Sequence, residues 1–131
     1  MRKFRIENKG TAQKRYRISY KEWDKLWIAA MDAAEDPIFH VHIDRDSQND
    51  FEYAVMETHL FEAVFDIELG ENTEEVTQGI FIKYTGNLIG SQGPIPEYRR
   101  YKLQPVWRKK PHDVVLTSWW DVMGPLHDYR S

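Results

Sequence analysis

Apolar and polar residues alternate with a period of two over residues 3–9: Phe4 and Ile6 share one face of an extended segment, and Arg5, Glu7 and Lys9 share the other. That alternation predicts a half-buried strand. After Gly10-Thr11, residues 14–18 alternate again, with Tyr16 and Ile18 inward and Arg15 and Arg17 outward, so a β-hairpin is expected. The period then changes. Trp23, Leu26, Trp27, Ala30, Ala33 and Ala34 recur at helical spacing behind a Ser19-Tyr20-Lys21-Glu22 capping box, which predicts a helix over residues 20–35 stopped by Asp36-Pro37. Residues 38–43 are β-branched and aromatic, and residues 51–56 are their expected antiparallel partner across the polar loop "DRDSQND". "THLFEAVF" predicts a short helix.

Beyond residue 70 the pattern gives a strand over 76–84, a loop at "GNLIGSQGPIP", and strands over 97–103 and 113–116. Ser118-Trp119-Trp120-Asp121 repeats the capping pattern before a last short helix, which Gly124-Pro125 is expected to end. The order β-β-α-β-β-α, followed by further strands and a short C-terminal helix, is that of an α/β (α+β) fold: a small mixed sheet with two or three helices packed on it. At 131 residues the chain is expected to form a single domain.

Composition narrows the chemistry. With 41% hydrophobic and 14% aromatic residues the chain reads as globular, and no apolar run approaches the roughly 20 residues that cross a bilayer, so no membrane partner is expected. The start carries no apolar segment that would act as a secretion signal. Cysteine is absent, which removes disulfide and thiolate chemistry and fits a reducing compartment; a cytoplasmic location is expected. The net charge of -3 conceals a segregation: residues 1–26 carry +6, residues 27–76 carry -13 and residues 77–131 carry +4. A basic end can meet phosphate while an acidic middle repels it, so nucleic acid would bind by one face.

The basic stretches are interleaved with aromatic residues. "QKRYR", "EYRRYK" and "VWRKK" combine phosphate contact with rings on which bases can stack. The expected nucleic-acid contacts are Arg5, Lys14, Arg15, Arg17, Arg99, Arg100, Trp107, Arg108 and Lys109, with Arg5, Lys9, Arg15 and Arg17 forming one basic surface if the first two strands pair. DNA or RNA is thus the expected partner. The competing reading is a protein-interaction module, in which the acidic "DRDSQNDFE" and "IELGENTEE" face a basic protein as an inhibitor or DNA mimic; a protein partner or a homodimer fits that reading.

The stretch "FRIENKGTAQKRYRISYKEWDKLWIAAMDAAEDPIFHVHI", followed by "FEYAVMETHLFEAVF", resembles the second half of small phage and archaeal nucleases of the PD-(D/E)xK, restriction-endonuclease-like superfamily, including relatives of Holliday-junction resolvases. The resemblance covers residues 3–65, making 1–66 a nuclease-like half and 67–131 a strand-rich extension. It implies a phage-encoded, Mg²⁺-dependent endonuclease scaffold. In such a site Glu7 would be a metal ligand and Lys9 the catalytic lysine, with Gln13 or Lys14 a supporting polar group on the neighbouring strand. Two carboxylates hold Mg²⁺ beside the scissile phosphate, and the lysine orients or deprotonates water. The aspartate that the family carries upstream has no counterpart among the six residues before Glu7. The expectation is a chain that does not cut alone, with the site completed by another chain or the scaffold binding without cutting; cleavage by the lone chain would point instead to an acid of the loop from Asp44 to Asp50.

Two lesser constellations remain. His40 and His42 share a strand face at a spacing that can chelate a transition metal, with His59 as a possible third ligand, although ordinary half-exposed histidines read the same way. "GNLIGSQG" lacks both the lysine of a phosphate-binding loop and the spacing of a dinucleotide fingerprint.

Overall fold

In the computed structural model, residues 3–44, 51–83 and 95–130 are described. The elements run β1 (Phe4–Gly10), β2 (Arg15–Ile18), α1 (Tyr20–Asp32), β3 (Asp36–Ile43), β4 (Phe51–Glu57), α2 (Thr58–Phe65), β5 (Glu74–Val76), β6 (Ile80–Lys83), β7 (Tyr98–Leu103), β8 (His112–Ser118) and α3 (Trp119–Arg130). The fold is α+β. Six strands form one mixed sheet in the order β1-β3-β4-β8-β7-β5, and β2 pairs with β6 in a separate two-stranded ribbon.

The expected hairpin of the first two strands does not form. β1 runs parallel to β3, with Glu7 opposite Phe39 and Lys9 opposite Val41, while β2 is antiparallel to β6. Alternation showed that both segments are strands but carried no information about their partners. The connection after Gly10 follows β3 instead of turning back: the Thr11 N–H donates to the His42 carbonyl and the Asp44 N–H to the Gln13 carbonyl, both at 2.9 Å. Arg5, Lys9, Arg15 and Arg17 therefore lie on two different sheets.

Ser19 caps α1 through its hydroxyl, which accepts from the Glu22 N–H at 3.1 Å. The Glu22 carboxylate accepts from the Tyr16 hydroxyl. The helix stops before Pro37. Ala34 turns into the left-handed region (φ 55°), and the Ala34 and Glu35 amides close on the carbonyls of Met31 and Ala30, an arrangement usually given to glycine. Asp36-Pro37 then opens β3, where an early proline costs little of the ladder. Strand β3 pairs antiparallel with β4 as expected.

The expected strand over 76–84 divides into β5 and β6, which join different sheets. Gly79, between them, sits at φ 107°, where a Cβ would lie 2.5 Å from the Ile18 carbonyl oxygen. The last helix does not end at Gly124-Pro125 but continues to Arg130. Val122 and Leu126 are buried on either side of the proline, so burial outweighs the missing backbone bond. The loop "GNLIGSQGPIP" and the acidic loop fall largely outside the described residues.

The sheet separates two apolar layers. On one face Phe39, Val41, Ile43, Val55 and Val114 pack with Trp23 and Leu26 of α1 and with Ile18, Ile80 and Ile82 of the ribbon. On the other, Ile38, Met56 and Val115 pack with Leu60 and Phe61 of α2 and Val122 and Leu126 of α3. Each fully buried leucine, isoleucine or phenylalanine contributes about 1.5–3 kcal/mol, so the two layers hold the helices and ribbon in place.

Candidate functional site

The pair that resembles half of a nuclease site lies on an edge strand. Glu7 and Lys9 share a face of β1, with Lys9 Nζ 3.5 Å from Glu7 Oε1 and both side chains partly exposed. Beside them Tyr16 has its phenol pushed up to about 12 by burial, by the Glu22 carboxylate that accepts its proton and by the charge of Glu7. Gln13 is not on a strand next to β1: it lies in the connection before β2, its backbone bonded to Thr11 and Asp44. No group of three His, Cys, Asp or Glu side chains disposed to hold a metal occurs among the described residues. Among the described residues, those around Glu7 therefore do not supply a complete Mg²⁺ site.

His40, His42 and His59 do not form a three-ligand metal group among the described residues either. The His40 ring stacks on Trp119 (centroids 3.9 Å apart, planes at 11°), and its nitrogens meet Asn8 Oδ1 at 3.0 Å and Glu52 Oε1 at 2.8 Å. Both are engaged by protein. His59 stands elsewhere, with Nδ1 3.8 Å from Glu57 Oε2.

Of the nine residues expected to contact nucleic acid, three are engaged by carboxylates. Arg5 pairs with Glu35 at 2.9 Å, Arg100 makes two bonds of 2.8 Å to Asp113, and Lys109 reaches Asp24 at 3.1 Å. Arg15 and Arg17 project from the outward face of the ribbon, in register with Lys83 and Phe81. Neither arginine has a carboxylate partner among the described residues. Phe81 is 46% exposed between these cations, a position an apolar ring takes at a cost in hydration. Lys14 is exposed at the start of the ribbon.

The basic face extends both ways. Arg99 shares a cavity of about 230 Å³ with Phe81, Lys83 and Glu74. On the other side Arg17 and Lys21 line a groove of about 480 Å³ with Val106, Trp107 and Lys109. Trp107 is 75% exposed and Val106 89%, and the Arg108 guanidinium lies 5.6 Å from the indole centroid. Trp107 thus stands exposed among basic neighbours, and the same segment meets α1 where the Tyr20 hydroxyl donates to the Lys110 carbonyl at 2.7 Å.

Next to this groove, sharing Tyr20, Asp24 and Lys109 with it, is a cleft of about 580 Å³ between α1, the start of α2 and the ends of β7 and β8. At its base the buried His112 bonds Asp24 through Nε2 at 3.0 Å, within a cage of Tyr20, Trp23 and Trp27 rings 5.1–6.3 Å away. Burial pushes the Asp24 carboxyl up, but the hydrogen bonds from His112 and Lys109 outweigh it and leave the carboxyl below its ordinary value. Asp113 is held low in the same way by Arg100 and by the Thr58 hydroxyl. Glu57 behaves oppositely. Burial raises it, and the nearby His59 and His112 and a hydrogen bond from Trp27 compensate only in part.

None of Asp24, Glu57, His112 or Asp113 stood out from the sequence. A signal existed for Asp24, which falls on the apolar stripe between Trp23 and Trp27, where an unpaired acid is costly. Glu57, His112 and Asp113 meet only because β4, β7 and β8 are neighbours, and spacing along the chain does not report that.

Comparisons with protein-family models, curated proteins and solved structures find no match. Among the described residues no helix is long and apolar enough to cross a membrane.

Proposed function

We propose that this chain binds nucleic acid, in single-stranded or splayed form, across the outward face of the β2–β6 ribbon and the Trp107 groove. One observation carries the reading: Arg15, Arg17 and Lys83 surround an exposed Phe81 on one face, and that face runs into a basic groove with an exposed tryptophan. Cations that track a backbone beside rings on which bases stack are the requirements of single-strand binding. The nuclease-like resemblance agrees with this surface, with Glu7 and Lys9 forming half of a site that binds without cutting until another chain supplies further carboxylates. A cytoplasmic setting goes with that role.

The test is anisotropy titration of labelled single-stranded, duplex and branched DNA between about 50 and 200 mM salt, the range over which phosphate-driven binding weakens steeply. Arg15→Ala/Arg17→Ala is expected to flatten the single-strand salt slope by about 1.4, from roughly 0.7 for each phosphate that is no longer neutralised. An unchanged slope overturns the assignment of this face. Binding to none of the three DNAs would favour the acidic-face reading, for which Glu68, Glu71, Glu74 and Glu75 are exposed.

A further inference from the structure

Four carboxylates line the cleft beside the groove, and three of them are held by charged, hydroxyl or backbone donors. Asp24 is bound by His112 and Lys109, Asp113 by Arg100 and Thr58, and Glu62 by the Leu69 N–H at 2.8 Å. Among the described residues Glu57 accepts from the Trp27 indole alone, since the His59 nitrogen is too distant for a hydrogen bond, so its two oxygens, which between them can take several donors, retain capacity to accept. The wall above it is apolar, formed by Trp27 and by Ile28, which is 46% exposed. Lys109 and Lys110 both line the cleft, and Lys109 also lines the groove.

We propose that this cleft receives a guanine base, with Glu57 accepting from its N1–H and exocyclic amino group, the ring lying against Trp27 and Ile28, and the phosphate meeting Lys109 and Lys110. This deepens the nucleic-acid reading and rests on it. A cavity of about 580 Å³ falls within the roughly 300–1,000 Å³ of small-molecule sites, room enough for one nucleotide. Guanine is singled out by its edge. It presents two adjacent N–H donors, which match the two oxygens of one ionised carboxylate. Adenine and cytosine alternate donor and acceptor there, and thymine sets a single donor between two acceptors, so each would bring an acceptor against Glu57. The base can come from a strand lying in the groove or from a free nucleotide, and both present the same edge.

The experiment compares a short labelled oligothymidylate carrying one central guanine with its all-thymine, adenine-substituted and cytosine-substituted counterparts, and separately measures GMP against UMP. The wild-type chain is expected to bind the guanine oligonucleotide about tenfold more tightly than the all-thymine one, within the range that a bidentate base contact supplies. Glu57→Gln offers one acceptor and one donor, and should reduce that preference to within about twofold while leaving all-thymine binding unchanged. Ile28→Trp, at an exposed helix position, fills the mouth and should do the same. The proposal is overturned if the wild type shows no guanine preference, or if both variants keep it. If no oligonucleotide binds but GMP is preferred over UMP in a manner abolished in Glu57→Gln, the pocket stands and the nucleic-acid reading falls. If neither preference appears, the pocket falls whatever the ribbon binds.

Discussion

Removing the Asp24 carboxylate tests whether the base of the cleft is a structural support. Asp24 is 8% exposed, and its partners differ: the His112 side chain is 8% exposed and that of Lys109 62%. The Lys109 contact, largely in water, is worth about 0–1 kcal/mol. The His112 contact is buried, and Asp24→Ala leaves a buried ring nitrogen without its partner, a loss of about 1–3 kcal/mol. The expected total is about 3 kcal/mol. An unfolding entropy of about 2.1 cal/mol/K per residue over 131 residues converts this to a fall in Tm of roughly 10 °C. Asp24→Asn keeps an acceptor for His112 and loses only the charge assistance, so it should fall by about 1 kcal/mol, roughly 4 °C. The folded carboxyl lies below its ordinary 3.8, so its contribution is complete above that pH and disappears as pH falls through the lower folded value. The gap between wild type and Asp24→Asn, measured by calorimetry or urea unfolding, should therefore be full at pH 7 and close below about pH 3.8. Both variants melting within a degree or two of wild type at pH 7 would refute the reasoning.

Other expectations follow from single contacts. Gly79→Ala forces a Cβ against the Ile18 carbonyl at a positive φ, and should cost at least about 2 kcal/mol in thermal unfolding while weakening oligonucleotide binding by distorting the ribbon. Tyr16, pushed up to about 12, should be among the last phenols to ionise in an ultraviolet titration, a component absent from Tyr16→Phe. Because its folded value exceeds its unfolded one, its contribution holds below about pH 10 and disappears as pH rises towards 12, so Tyr16→Phe should narrow the alkaline loss of stability. Glu57 is also raised, so its ionised form is disfavoured by folding, and Glu57→Gln should melt at or above wild type at pH 7; a clearly lower Tm would contradict this.

Local pattern was enough for the elements whose signals are local. The Ser19 cap, the stripe of α1, the β3–β4 pairing and α2 were all legible, because a two- or four-residue period reports directly on which side of an element is buried. Pairing between distant segments was not. The partner of β2 lies more than sixty residues away in β6, and the economical hairpin was wrong because nothing in "NKGTAQK" distinguishes a turn from a chain that continues beside β3. The stop signal at Asp36-Pro37 held, since α1 ends before it, whereas the one at Gly124-Pro125 failed where burial opposed it and lies inside α3. Basic residues were recognised as a class, but sorting them needed the fold. Arg15 and Arg17 have no carboxylate partner among the described residues, whereas Arg5 and Arg100 face Glu35 and Asp113 from adjoining elements.

That sorting also separates support from function within the cleft. Asp24 and Asp113 are held below their ordinary values by donors built around them, so their charges stabilise the fold and need no ligand to explain them. Glu57 is the reverse, since burying it raises it, and the histidine beside it stands at 3.8 Å without closing the contact. A neutral side chain of the same shape would serve the fold as well or better. A carboxylate retained against its own burial, at the wall of a cavity with an aromatic side and a cationic rim, is accounted for by a ligand that brings the missing donors. The cleft and the groove share Tyr20, Asp24 and Lys109, so a strand bound along the basic ribbon passes the opening through which a single base can reach those oxygens.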